Sequence, residues 1–194
     1  MFGREDTMIH LFLKTKKFIP NEFHQGFFEI DFKKLYNQGI RLILTDLDNT
    51  LITYAEQLPT KEILDKFDEL REIGFEIVVI SNNVPSRVAT FLEGTSYKGL
   101  GNARKPLLTG LKRAVKLAEN SYTHSQTVII GDQLMTDIYC ANRFHAYSIL
   151  VNPILRRTEK WYTKLNRRIE IKMLKKIENK YFEVYKSLKL DMRK

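Results

Sequence analysis

The feature that most constrains this chain is an alternation. Between residues 41 and 152, short unbroken apolar runs take turns with longer stretches whose apolar residues recur every three or four positions. The runs 41–46, 75–81, 126–132 and 146–151 lack the in-out pattern of a half-exposed strand, so each reads as a parallel strand buried on both faces. Helical patterns fall between them at 60–73, closed by Gly74, at 85–92, closed near Gly94, and at 106–118 and 135–143, with a short segment at 97–100 left unassigned. Strand and helix in such repetition predict an α/β fold with a doubly wound parallel sheet, whose ligands bind outside the carboxyl ends of the strands. At 194 residues the chain is long enough for one such domain and an appendage. The expected division is an N-terminal segment over 1–40, the α/β domain over 41–155 and a C-terminal helix over 156–194.

The predicted strand ends are polar. The first hands over to Asp46-Leu47-Asp48-Asn49-Thr50, which sets two carboxylates on one side of a strand end. Neighbouring acids repel unless a cation or a shared proton lies between them, and a divalent metal is the expected remedy. The second strand ends in Ser81-Asn82-Asn83, the loop before the third helix carries Arg104-Lys105-Pro106, and the next strand runs into Gly131-Asp132 with Asp137 shortly after. Taken singly, Ser81 and Asn82 fit a turn, Asp132 or Asp137 a helix cap, and Lys105 a solvated loop lysine. Gly99-Leu100-Gly101 lacks the third glycine of a phosphate-binding loop and reads as a turn. The single cysteine, Cys140, excludes an internal disulfide and fits a reducing compartment.

Taken together and in order, Asp46-Leu47-Asp48-Asn49-Thr50, Ser81, Lys105 and Gly131-Asp132 with Asp137 resemble the four motifs of the haloacid dehalogenase (HAD) phosphatases. The chain is further similar to the YqeG-like branch of the class IIIA phosphatases, related to phosphatidylglycerophosphatases. That similarity rests on Phe18-Ile19-Pro20, on the phrase GDQLMTD from Gly131 to Asp137, and on Asn166-Arg167 with Glu170. The resemblance implies an aspartyl-phosphate formed on Asp46, with Asp48 protonating the leaving oxygen and later deprotonating water. It implies that Ser81 and the Asn82 backbone bind the phosphoryl oxygens and that Lys105 neutralises their charge. It implies magnesium held by Asp46, the Asp48 carbonyl and Asp132, with Asp137 binding through water or orienting Lys105.

The spans from Thr50 to Ser81 and from Ser81 to Lys105 are filled by the predicted elements and leave no room for a cap domain. The site is therefore expected to be open, walled by a partner subunit or matched to a large substrate. The charge is segregated as well. Of the formal net +9, residues 1–155 contribute nothing, with 18 basic against 18 acidic side chains, while residues 156–194 hold 14 against 5. From Leu165 the apolar residues Leu165, Ile169, Met173, Ile177, Tyr181, Tyr185 and Leu188 form a helical stripe, opposed by basic residues and joined by Trp161 and Tyr162. Two readings stand for that stripe: docking on an anionic membrane, or packing on the domain with the basic face in water. The apolar run at residues 8–13 is too short to span a bilayer. The resemblance makes phosphatidylglycerophosphate the leading substrate, handled in the cytoplasm at the inner face of a membrane. The alternatives are a phosphatase of nucleic-acid ends, for which a basic tail would contact the backbone, and a non-enzymatic RNA-associated or regulatory protein with the same fold.

Overall fold

The four apolar runs become strands in the computed structural model, which describes residues 14–158 and 161–193. The run at residues 8–13 and the side chains of Trp161 and Tyr162 lie outside what is described. The strands are β1 Glu22–His24, β2 Leu42–Asp46, β3 Glu76–Ile80, β4 Lys98–Leu100, β5 Thr127–Gly131 and β6 Tyr147–Val151. They form one sheet in the order β1-β6-β5-β2-β3-β4, every neighbouring pair parallel. The chain winds outward from β2 through β3 and β4, then returns to the other side of β2 with β5 and β6. The reversal between β2 and β5 opens a crevice at their carboxyl ends, where a doubly wound sheet binds its ligand.

Why these runs are continuously apolar follows from the two faces of the sheet. Ile43, Ile77, Val79, Val128 and Ile130 pack on one side against Phe67 and Phe91, while Leu42, Leu44, Val78, Ile80 and Ile129 pack on the other against Leu111, Ala114, Cys140 and Phe144. Both sides are covered, so successive residues of a strand are all buried.

The helices are α1 Phe32–Asn37, α2 Lys61–Ile73, α3 Pro85–Leu92, α4 Leu108–Val115, α5 Tyr139–Phe144, α6 Trp161–Lys180 and α7 Phe182–Ser187. Helix α2 starts where the Thr60 hydroxyl accepts from the Ile63 N–H and stops at Gly74, whose φ of 108° only glycine adopts without strain. Two helices differ from expectation. The pattern at 106–118 yields only Leu108–Val115, because Leu107 is extended (ψ 136°) and delays the first turn. The pattern at 135–143 opens as a wider π-helical turn, Leu134–Ile138, in which the Gln133 carbonyl accepts from both Asp137 and Ile138 before α5 follows.

The C-terminal stripe faces the domain. Met173, Ile177, Tyr185 and Leu190 close a third apolar cluster with Phe18, Leu134, Ile138 and Leu150. The stripe drawn from the sequence is buried at Met173, Ile177 and Tyr185, fails at Val184, which was expected to widen it and is exposed, and is rotated before Met173. The buried face of the first turns is Thr163, Arg167 and Glu170, whereas Leu165 is exposed. Polar side chains face inward there because, as the next section describes, they meet the polar loop after β5. Arg168, Lys172, Lys175 and Lys180 point to solvent.

Candidate active site

The residues singled out at the strand ends converge on the β2–β5 crevice. Asp46 ends β2, and the chain then turns sharply through Asn49, whose left-handed φ of 67° an asparagine tolerates and whose N–H donates to the Ile52 carbonyl at 2.6 Å. Asp46 and Asp48 are both buried, yet their repulsion is relieved by separate cations. Lys105 Nζ lies 2.6 Å from Asp46 Oδ1 and 2.7 Å from Asp137 Oδ1. Asp48 turns instead to α3, where Arg87 donates to its Oδ1 through Nε at 3.1 Å and Nη2 at 3.0 Å. Its Oδ2 accepts from Ser81 Oγ and Asn83 Nδ2, each at 3.3 Å. The first remedy for the acid pair is thus the protein's own lysine and arginine.

Asn82 takes a part that the sequence did not suggest. Its side chain clasps the loop after β4, accepting from the Lys105 N–H at 2.6 Å and donating to the Lys105 carbonyl at 2.9 Å. The clasp fixes the backbone from which Lys105 reaches into the crevice. Gly131 does similar work on the other side. A Cβ there would lie 2.3 Å from Asp137 Cγ, so only glycine lets the Asp137 carboxylate rest against the end of β5. The carboxylate is steadied further by the Gln133 N–H, 3.0 Å from its Oδ2.

Three carboxylates remain face to face. One oxygen each from Asp46, Asp132 and Asp137 lies within 4.8 Å of the others, and all three residues are buried. Burial pushes the Asp46 carboxyl well above its usual pKa; Lys105 opposes this, while Asp137 and Asp132 add to it. Asp132 is raised to about 6, again by burial first, with Arg167 opposing and Asp137 reinforcing. Burial works against the Lys105 ammonium, but the charges of Asp137 and Asp46 outweigh it and raise its pKa. Asp132 Oδ1 is buried and has no hydrogen-bond partner among the described residues. A buried carboxylate oxygen left open beside two more acids is the donor set that a small, hard divalent cation such as magnesium takes, and such an ion would favour the ionised forms.

The other oxygen of Asp132 is held by the C-terminal helix. Arg167 donates to Asp132 Oδ2 and to the Asp132 carbonyl, and it pairs with Glu170 at 3.2 Å. Arg193 in turn donates to Glu170 Oε1 at 2.6 Å, to the Val151 carbonyl at 2.7 Å and to the Asp132 carbonyl. The same helix walls the cleft, which is lined by Thr163 and Asn166 together with Tyr54, Asp46, Asp48 and Lys105. Asn166 reaches Gln133 at 3.4 Å and Tyr54 reaches Thr163 at the same distance. No cap domain is inserted among the described residues, but the expectation of a bare site is corrected: α6 covers one side of it. Sequence reasoning missed Arg87 and Arg193 and gave Arg167 no role. The available signal was Arg167 and Glu170 at a spacing of three, on the face that continues into Met173 and Ile177.

A family described as mitochondrial PGP phosphatase matches residues 3–94, and one described as HAD-hydrolase-like matches residues 102–153. Among solved structures, an uncharacterized protein from Listeria monocytogenes serotype 4b covers 58% of this chain and 79% of its own, at 17% identity and a TM-score of 0.46. The putative HAD-hydrolase YfnB from Bacillus subtilis, bound to magnesium, covers 62% and 92%, at 12% identity and a TM-score of 0.43. The probable phosphatase YqeG of Bacillus subtilis (strain 168) is 34% identical over 165 residues, which is 85% of this chain and 94% of that protein. Identity at this level over nearly the full length of both places the chain in the YqeG family of HAD-type phosphatases, hydrolases of phosphomonoesters.

Proposed function

We infer that the protein is a magnesium-dependent phosphomonoesterase working through an aspartyl-phosphate on Asp46, with phosphatidylglycerophosphate at an anionic membrane surface as its leading substrate. The observation that carries the reading is the division of labour around β2. Asp46 sits 2.6 Å from Lys105 beside the open oxygen of Asp132, while Asp48 is held apart by Arg87.

In the first step an Asp46 oxygen bonds to phosphorus, the bond from phosphorus to the ester oxygen breaks, and that oxygen takes a proton from Asp48. In the second, water bonds to phosphorus and gives a proton back to Asp48, the Asp46–phosphorus bond breaks, and orthophosphate leaves. Lys105 offsets the phosphoryl charge, the Asn82 backbone and the Ser81 hydroxyl bind the phosphoryl oxygens, and that hydroxyl lies 3.3 Å from Asp48 Oδ2. Magnesium, held by Asp46, Asp132 and Asp137, would neutralise phosphoryl oxygens as a Lewis acid. The substrate assignment is supported by the family matched over residues 3–94, described as a PGP phosphatase, and by the basic outer face of α6.

The test is phosphate release from vesicles carrying phosphatidylglycerophosphate, with magnesium and with excess chelator, for the native protein and Asp46→Asn. Release should vanish in chelator, and in the variant it should fall by at least about a thousandfold with unchanged circular dichroism. A variant that keeps near-native turnover refutes the aspartyl-phosphate, and full activity in chelator refutes the metal. Preferential release from 5′-phosphorylated oligonucleotides would move the substrate to nucleic acid.

A further inference from the structure

Arg193 does not line the cleft, yet its side chain is as deeply buried as that of Lys105. After α7 the backbone reverses at Lys189, whose left-handed φ of 53° a lysine keeps only where its surroundings enforce it. The 3-10 turn Leu190–Met192 follows, and Leu190 locks into the apolar cluster beneath α6. The reversal delivers Arg193 with its side chain 1% exposed and an acceptor for each guanidinium nitrogen. Nε donates to Glu170, Nη1 to the Val151 carbonyl, and Nη2 to Glu170 and the Asp132 carbonyl.

Glu170 stands between two arginines. Its Oε1 takes Arg193 and its Oε2 takes Arg167 at 3.2 Å, while Arg167 also holds Asp132 Oδ2. Two carboxylates thus face two guanidiniums in a buried row whose charges balance. Without Arg193, Arg167 would be the arginine that both acids share. A buried carboxylate that has lost its partner is costly, so Arg167 would be drawn toward Glu170. Asp132 Oδ2 would then lose the donor that keeps Oδ1 open toward the crevice.

We propose that Arg193 is a positioning residue for the metal centre: acting through Glu170 and Arg167, it holds the Asp132 carboxylate in the orientation that takes magnesium. The proposal rests on the magnesium reading above. Two simpler roles make different demands. An anchor for the C-terminal turn would change stability alone, equally with and without the ion. A bare positive charge near the carboxylates would repel the ion, so that its removal would tighten magnesium binding. Positioning makes the same removal weaken it.

The readout is the melting temperature of the full chain titrated with magnesium chloride, which follows binding without turnover. In Arg193→Gln the magnesium concentration needed for a given rise should go up about tenfold, whatever the melting temperature in chelator. Arg193→Lys keeps the charge but cannot span Glu170 and two carbonyls, so it should fall in between; it decides the matter if circular dichroism shows that Arg193→Gln is misfolded. In an Arg167→Gln background the loss of Arg193 should add little, because the route through Arg167 is already cut. A magnesium requirement that is unchanged or lowered in the folded variants overturns the proposal, and so do fully additive effects of the two substitutions. A native protein whose melting temperature magnesium leaves unmoved would instead sink the metal reading, and the proposal with it.

Discussion

Single side chains in this protein are explained by what opposes them. Asp132 offers one oxygen to the crevice because Arg167 occupies the other, so the arginine orients the carboxylate as outer partners of metal ligands generally do. Arg167→Gln is therefore expected to raise the magnesium concentration for half-maximal activity about 10- to 100-fold. It should also shrink the rise in melting temperature that magnesium produces, a readout independent of turnover. Cys140 illustrates the converse. Buried against α4, with its S–H directed at the Leu107 carbonyl 3.7 Å away, its thiol is pushed up to about 12, chiefly by burial. A thiol that stays protonated does not attack disulfides, so Ellman's reagent should label Cys140 in denaturant and leave it unmodified for hours in native buffer. Rapid labelling of the native protein would show that α5 and α4 separate readily.

At the scale of elements, legibility followed burial. The four interior strands were readable because both faces are covered and their middles had to be apolar, with polar Thr45, Asp46, Thr127 and Ser148 near the ends. Strand β1 was not, since three residues at the sheet edge, Glu22-Phe23-His24, are only half-buried and carry no pattern. The carboxyl ends of neighbouring parallel strands and the loops that follow them placed Asp46, Ser81, Lys105 and Asp132 close together from the sequence alone. Arg87 and Arg193 escaped because a long-range contact leaves no local signal; Arg87 sits 39 residues from Asp48, and Arg193 sits 23 from Glu170 and 61 from the Asp132 carbonyl. Helix α6 was legible as amphipathic, but its partner was not, and the two readings of its stripe called for different energetics. With Met173 and Ile177 buried on the domain, Met173→Ala and Ile177→Ala should each cost about 2–5 kcal/mol in urea unfolding. A loss below about 0.5 kcal/mol would mean that the helix does not stay docked.

For the molecule as a whole, the separation of charge gives two surfaces with different tasks. The sheet and its crevice belong to a stretch with balanced charge, while residues 156–194 carry the basic excess, part of it on the outer side of α6. Because the apolar stripe is already used in packing, attraction to an anionic surface has to come from the charges, at about 1 kcal/mol each. Replacing Lys172, Lys175, Lys176 and Lys180 with glutamine should accordingly reduce cosedimentation with anionic vesicles and leave the melting temperature nearly unchanged. Native binding should weaken as salt rises. Vesicle binding that the quadruple variant retains at low salt would exclude the basic face as the attachment point.

The clamp of Arg167, Glu170 and Arg193 on Asp132 also sets the timing of assembly. Arg193 reaches back across 61 positions to the carbonyl of Asp132. A chain emerging from the ribosome has all six strands once β6 is out, but Leu150 of β6 stays uncovered until Met173 and Ile177 of α6 follow. Arg167 of that helix holds the Asp132 carboxylate, and Arg193 adds its bonds to Glu170 and to the Asp132 carbonyl when it follows. The helix that covers β6 is thus the helix that braces Asp132, so closing the core and seating the carboxylate come together.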